Sequence, residues 1–258
     1  MASSAFFRVS GVTKRFGGLV ALDQVGLEIR EGTSFCVIGP NGSGKTTLFN
    51  IISGLLPADQ GSISFKGNEV GGLGAHRLAR LGIGRTFQSA RLFSTMTILE
   101  NCELPQLALG RSSLAEAVLG QRVAREERRR VRERAEELLG RIGGGRLYPR
   151  RHDYPTTCSL GERRMLEMIR VLATDPSLIL MDEPTQGMNP VWIRETLQLI
   201  ENEIKSRHKT ILFIEHKMSV VMQIADRVAV LNEGHKIAEG TPAEVRNDPL
   251  VVQAYLGT

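Results

Sequence analysis

The chain has 258 residues, 41% of them apolar, and 33 Lys and Arg against 28 Asp and Glu give it a net charge of +5. This leaves room for one large domain or two small ones around a substantial core, with no internal repeat or low-complexity tract. No apolar run approaches the roughly 18 uninterrupted residues of a membrane span, which argues against an integral membrane chain. Residues 1–7 have neither the basic leader nor the long apolar stretch of a secretory signal, so none is expected. Cys36, Cys102 and Cys158 are odd in number, widely spaced and lack metal-ligand pairing, which fits a reducing cytosol better than a disulfide framework.

In chain order, residues 5–38 and 61–70 are short β-prone runs broken by glycines and charged turns, and they read as sheet on either side of a glycine-rich loop. The loop is Gly39-Pro40-Asn41-Gly42-Ser43-Gly44-Lys45-Thr46-Thr47. Gly39, Gly44, Lys45 and Thr46 fill every fixed position of G-x-x-x-x-G-K-[ST], whose backbone N–H groups wrap nucleotide phosphates. An apolar run, Ser34 to Ile38, precedes the loop, and Leu48, Ile51, Ile52 and Leu55 follow at helical spacing, so the motif lies between a strand and a helix. Lys45 and the helix N-terminus supply positive potential, and the Thr46 hydroxyl is placed for Mg²⁺.

Helical periodicity dominates from Thr97 to Ile142, and Gly143-Gly144-Gly145 and a loop over 148–157 end it. Within that stretch Val131, Ala135, Leu138 and Ile142 form an apolar stripe on a segment rich in Arg and Glu. The mixture reads as a solvated helix face with i,i+4 ion pairs rather than a nucleic-acid patch. Further on, apolar runs at 178–181, 210–214 and 227–231 alternate with helical stretches at 160–173, 190–206 and 217–225, a pattern that predicts a parallel sheet with crossover helices. Asp182 and Glu183 emerge at the carboxyl end of the first of these strands, where ligands of open α/β sheets bind. Asp182 suits the Mg²⁺ shell, and Glu183 could polarise an attacking water as general base. His216 follows the next strand and would reach the same edge.

The order of these motifs resembles the ATP-binding subunits of ABC transporters over essentially the whole chain. The resemblance implies an α/β fold with a P-loop NTPase core, a mainly parallel sheet, an N-terminal antiparallel β subdomain and an inserted α-helical subdomain. The expected division assigns 1–88 and 159–258 to the RecA-like ATP-binding core with its β subdomain, and 89–158 to the helical subdomain. Thr86-Phe87-Gln88 resembles the family's glutamine loop, which implies that Gln88 contacts Mg²⁺ and faces a membrane subunit. Cys158-Ser159-Leu160-Gly161-Glu162 stands where the family signature Leu-Ser-Gly-Gly-Gln is expected, with Cys158 and Leu160 departing from it. Ser159, Gly161 and Glu162 are thereby implied to meet, in trans, the γ-phosphate held by a second subunit. Gly187-Met188-Asn189-Pro190 is similar to the D-loop of the dimer seam, His216 to the switch histidine, and Phe16 to the aromatic that stacks on adenine.

The resemblance further implies an ATP- and Mg²⁺-dependent ATPase working as a head-to-tail homodimer or heterodimer. Its expected partners are permease subunits and, indirectly, an external substrate-binding protein, with no nucleic acid. Its expected place is peripheral, on the cytoplasmic face of the inner or plasma membrane. Residues 86–93 and 96–101, Ile214-Glu215-His216 and the tail 238–245 with 254–257 look like the ATPases of branched-chain amino-acid importers. Neighbouring subgroups drive urea or amide uptake or lipopolysaccharide export. A soluble ABC ATPase of DNA repair or translation usually shows a long coiled coil or two nucleotide sites in one chain, and neither is present. A P-loop kinase or GTPase would not explain the signature stretch.

Overall fold

Five successive buried side chains, Ser34 to Ile38, form strand β3, and they are buried on both faces because β3 runs through the middle of a sheet. The computed structural model describes residues 5–86, 92–110 and 121–256, which divide into two compact units.

The first unit comprises 1–85, 177–184 and 200–258. In it β1 (Phe7–Phe16) pairs antiparallel with β2 (Leu19–Ile29) and with β4 (Gln60–Phe65), and the short β5 (Asn68–Glu69) completes a sheet of order β2-β1-β4-β5. Phe7 and Val9 are buried while Arg8 and Ser10 are exposed, the alternation of a sheet with one covered face.

The second sheet of this unit has order β10-β9-β3-β8-β7-β6. Its strands are β6 (Ile83–Arg85), β7 (Leu178–Asp182), β8 (Thr210–Ile214), β9 (Arg227–Asn232) and the antiparallel edge strand β10 (His235–Gly240), with β3 between β8 and β9. The strands from β9 to β6 are mutually parallel, as the alternating pattern predicts. Register decides where the chemistry lies. Val37 and Asp182 both pair with Ile214, so the loop after β3, the acids ending β7 and the turn after β8 leave the sheet at one level. Phe35, Val37, Leu48, Phe49, Leu180 and Leu212 belong to one core with Phe7 and Ile63 of the antiparallel sheet. Helix α1 (Lys45–Ile52) turns Leu48, Ile51 and Ile52 inward at the expected helical spacing, with Phe49 beside them, whereas Leu55 lies past the helix end and is exposed.

The second unit comprises 86–176 and 185–199. Besides α2 (Ala75–Arg80) of the first unit, the chain forms α3 (Ile98–Leu109), α4 (Gln121–Arg141), α5 (Leu160–Ala173) and α6 (Pro190–Leu199) here. Buried Asn101 fixes the turn before α3, donating from Nδ2 to the carbonyls of Phe93, Met96 and Thr97 and accepting from Phe93 N at 2.9 Å. On α4 Val131, Ala135 and Leu138 are buried, with Ile142 just beyond it. Arg129–Glu133, Arg134–Glu137 and Arg141–Glu137 pair along the exposed side, the solvated face expected of that segment.

The helical unit reaches beyond the expected 89–158. Met165, Leu166, Ile169 and Leu172 are buried on α5, which packs on α3 and α4, so this helix belongs with them. The expected helix 190–206 also divides: α6 ends at Leu199, a wider turn spans Ile200–Ile204 with both isoleucines buried, and a 3₁₀ turn spans Lys205–Arg207. The later helices are α7 (Met218–Ile224), α8 (Pro242–Arg246) and α9 (Pro249–Leu256). Among the described residues no helix is long and apolar enough to cross a membrane.

Candidate functional site

The phosphate loop closes around its own lysine. Lys45 Nζ donates to the carbonyls of Gly39 and Pro40 at 2.7 Å each and to Ser43 Oγ at 3.4 Å. Burial lowers the Lys45 pKa from its ordinary value, while Glu183 and then Asp182 act in the opposite direction. The loop needs its two fixed glycines for space as well as for conformation. Gly39 has φ 150°, and a Cβ there would lie 2.0 Å from the Leu231 carbonyl. Gly44 has φ 100°, and a Cβ there would lie 2.6 Å from the Ala21 carbonyl. Gly44 caps α1 with no side-chain bond and no acid follows in the first turn, so the first amides of α1 have no internal acceptor. That is an anion site waiting for an anion.

A cavity of about 620 Å³ lies over this loop. Residues 41–47, Phe16, Leu19, Val20, Ala21, Glu183, His216 and Glu233 line it. The structure thus brings together Asn41, Gly42, Ser43, Gly44, Lys45, Thr46, Thr47, Phe16, Glu183 and His216, all expected from the sequence. Gly39 and Pro40 sit beneath them as acceptors for Lys45. Phe16 is 48% exposed at the β1–β2 turn, an open ring face at the cavity rim, with the Lys14 ammonium 5.7 Å from its centroid. Glu233, in a left-handed turn between β9 and β10, carries no motif and was not legible in the sequence.

At the end of β7 the two carboxylates are treated differently. Asp182 is buried, and its Oδ2 accepts from Arg85 at 3.2 Å. The same guanidinium donates to Phe49 O at 3.2 Å, to Asn50 Oδ1 at 3.0 Å and to Ser53 Oγ, and so ties the end of β7 to α1. Glu183 stands at φ 49°, an uncommon conformation for a side-chain-bearing residue and one that recurs at functional sites. Its Oε1 lies 2.9 Å from His216 Nε2, while Oε2 is buried without a hydrogen-bond partner. A buried carboxylate oxygen without a partner is uncommon in a folded chain and marks this turn as one that a ligand or ordered water would complete. Glu215, 3% exposed, accepts from the backbone N–H of His216 and Lys217 at 2.9 and 3.2 Å and so fixes the turn that carries the imidazole.

These residues fit a magnesium nucleotide. The uncapped helix end and Lys45 suit the phosphates, and Thr46 with Asp182 offers the few oxygen ligands Mg²⁺ takes when phosphates and water complete its shell. Gln88 lies outside the described residues.

In the helical unit, Ser159 caps α5 through a capping box: Ser159 Oγ accepts from Glu162 N at 3.3 Å, and Glu162 Oε2 accepts from Ser159 N at 2.7 Å. Ser159 and Leu160 are exposed, whereas Gly161 is buried against the indole of Trp192, which a Cβ would meet at 2.2 Å. Arg146 lies 5.5 Å from the Trp192 ring and pairs with Glu195 at 2.6 Å, so the indole is also in contact with a held guanidinium. Cys158, 4% exposed, is buried where the family pattern has leucine. Burial tends to raise the Glu162 pKa, but hydrogen bonds from Ser159 and the charge of Arg150 hold it below its ordinary value.

Residues 22–186 match the ABC transporter family, and residues 235–258 match the branched-chain amino acid ATP-binding cassette transporter family. The sequence is 40% identical over 256 residues, 99% of both chains, to the high-affinity branched-chain amino acid transport ATP-binding protein LivG of Salmonella typhimurium. It is 38% identical over 258 residues, again 99% of both chains, to the corresponding BraF of Pseudomonas aeruginosa. The fold is similar to the ADP conformation of MJ1267, an ATP-binding cassette of an ABC transporter, with a TM-score of 0.85 and 32% identity over 99% of this chain and all of that one. A dimeric bacterial cassette, MJ0796, is similar with a TM-score of 0.74 and 27% identity over 92% of this chain and 98% of that one.

Proposed function

Since the chain belongs to the ATP-binding subunits of the ABC transporter family, an ATPase family, we propose that it powers the import of branched-chain amino acids. The observation that carries the substrate class is the match of its last 24 residues to the branched-chain cassette family, beside the likeness to LivG and BraF along the whole chain. The amino acid itself would be chosen by permease subunits and an external binding protein, since the cavity of this chain is built around a phosphate loop. Its place is peripheral, on the cytoplasmic face of the membrane.

ATP is the substrate. The amides of residues 42–47 and Lys45 bind its phosphates, and Phe16 receives the adenine ring at the cavity rim. Thr46 and Asp182, with Gln88, would hold Mg²⁺, which neutralises charge on the β- and γ-phosphates when bound. The Glu183 carboxylate accepts a proton from the attacking water, while His216 orients that carboxylate through Oε1. Ser159, Gly161 and Glu162 complete the site of a second subunit, so the working unit is a head-to-tail pair.

The test is uptake by proteoliposomes holding the chain with its permease and binding protein. Leucine uptake driven by ATP is expected, with urea left outside. ATP-driven urea uptake without leucine uptake overturns the substrate assignment. Ser159→Arg is expected to abolish transport-coupled hydrolysis, and full activity in that variant overturns the trans site.

A further inference from the structure

Within Cys158-Ser159-Leu160-Gly161-Glu162 the acid at the last position raises an electrostatic difficulty. A carboxylate sits in the first turn of a helix whose end is assigned to a triphosphate. In the capping box its Oε2 serves Ser159 N, and its Oε1 is taken by Arg150 NH1 at 2.8 Å. The pair is partly shielded, with 16% of the Glu162 side chain and 34% of the Arg150 side chain exposed.

Arg150 does more than balance a charge. NH2 donates to Thr157 O at 3.1 Å and to Thr157 Oγ1 at 3.0 Å, and Nε donates to Asp153 Oδ2 at 3.2 Å. One guanidinium therefore bridges the loop entering the signature at Asp153 and Thr157 and the first turn of the signature helix at Glu162. The connection spans residues 158–161, which lie between Thr157 and Glu162 and include Ser159. Only a planar fork with several donors reaches these four acceptors on three residues at once, and an ammonium on a flexible stem does not.

The capping box leaves a specific remainder at this helix end. Glu162 N is taken by Ser159 Oγ, and the first helical bond runs from Arg163 N to Ser159 O. The amides of Leu160 and Gly161 have no acceptor within the helix. An anion arriving there meets those two amides and the Ser159 hydroxyl, with the Glu162 charge close behind.

We propose that Arg150 is a positioning residue of the trans site: it neutralises Glu162 and fixes the Thr157 to Ser159 segment so that the end of α5 accepts the terminal phosphate of ATP bound to a second subunit. This rests on the head-to-tail reading above.

The experiment is a double-mutant cycle in the full chain bearing Glu183→Gln, alone or mixed with its partner ATPase. Two quantities are read: the MgATP concentration for half-maximal dimerisation, by light scattering, and the affinity of the monomer for a fluorescent ATP analogue. With Glu162 present, Arg150→Ala is expected to raise the first about tenfold, the loss of one shielded charge-assisted contact. Combined with Glu162→Gln, the same change is expected to raise it by less, about two- to threefold, because the Glu162 charge is gone and only the bonds to Thr157 and Asp153 are lost. The monomer affinity is expected to stay as it was. Equal shifts in both backgrounds, or none in either, overturn the proposal. If Arg150→Ala does not fold, Arg150→Gln goes through the same cycle under the same criteria. Ser159→Arg separates the two levels. Dimerisation that survives it removes the head-to-tail reading itself, whereas dimerisation lost there but indifferent to Arg150 removes only this inference.

Discussion

Two helices begin where phosphate is expected, and their first turns are built in opposite ways. Helix α1 starts at Gly44 with no side-chain cap, no acid in its first turn and Lys45 in place of one. Helix α5 starts at Ser159 with a complete capping box and an acid at Glu162. The first end leaves its amides to be satisfied by a ligand, whereas the second satisfies two donors by itself and leaves only those of Leu160 and Gly161. The nucleotide therefore organises the first end, while the second is formed in advance and offers a hydroxyl on a rigid turn. On the head-to-tail arrangement proposed above, ATP would be held by one chain and would gain the other end on pairing.

The largest effect expected from this division concerns the chemistry between the two ends. Glu183→Gln keeps the side-chain shape and removes the proton acceptor, so turnover is expected to fall about 10²–10⁴-fold while ATP binding persists. Steady-state phosphate release and equilibrium binding check it together. A variant with unchanged turnover removes Glu183 as the base. Next comes the ligand-organised end itself. Lys45→Ala deletes a charged donor that three loop oxygens hold in place, and nucleotide affinity is expected to drop about 10- to 100-fold, measured by calorimetry.

The two ends also differed in how far they were legible. The phosphate loop is a local object: its glycines, lysine and flanking periodicity lie close together in the chain, and the structure places them as the sequence suggests. Asp182, Glu183 and His216 were legible because strand ends of a parallel sheet converge at one edge. The partners that fix them were not. Arg85 comes from a three-residue strand with no periodicity to announce it, yet it joins Asp182 to α1 across 97 positions of sequence. At the signature, Ser159 and Gly161 were identified only by resemblance. The reasons this helix start holds its shape, Trp192 against Gly161 and Arg150 on Glu162, depend on side chains that meet only after folding. The unit boundary was misplaced for the same reason, since the apolar stripe of α5 fits either unit until its neighbours α3 and α4 are seen.

A substitution of intermediate size probes the preformed end. Gly161→Ala drives a methyl into the Trp192 indole, a rigid neighbour that Arg146 contacts, so stability is expected to fall by about 1–3 kcal/mol. For a chain of this length that is roughly 2–4 °C of melting temperature per kcal/mol. Gly161→Ala with Trp192→Leu is expected to recover most of the loss. If the double variant melts as low as Gly161→Ala alone, the indole is not the reason for the glycine.

The smallest effects come from the caps, and they discriminate most finely between a helix start that only stabilises and one that also receives phosphate. Among the described residues three helices share one device: Thr97 with Glu100, Ser159 with Glu162, and Thr241 with Glu244. Thr97→Ala, Ser159→Ala and Thr241→Ala are each expected to cost about 1 kcal/mol of stability in urea denaturation. Their acids also share a pH signature. Backbone and then side-chain bonds from Thr97 and Thr241 hold Glu100 and Glu244 below the ordinary carboxyl value, and Glu162 ends below it despite its burial. A folded pKa below the unfolded one gives stability that is present above the ordinary glutamate range and is lost as pH falls through the depressed value. The three alanine variants should accordingly converge on the parent chain in acid. At neutral pH only Ser159→Ala is expected to weaken MgATP-driven dimerisation in the Glu183→Gln chain, because only that hydroxyl is proposed to meet a second subunit's nucleotide. Equal dimerisation in all three variants would make Ser159 one more cap.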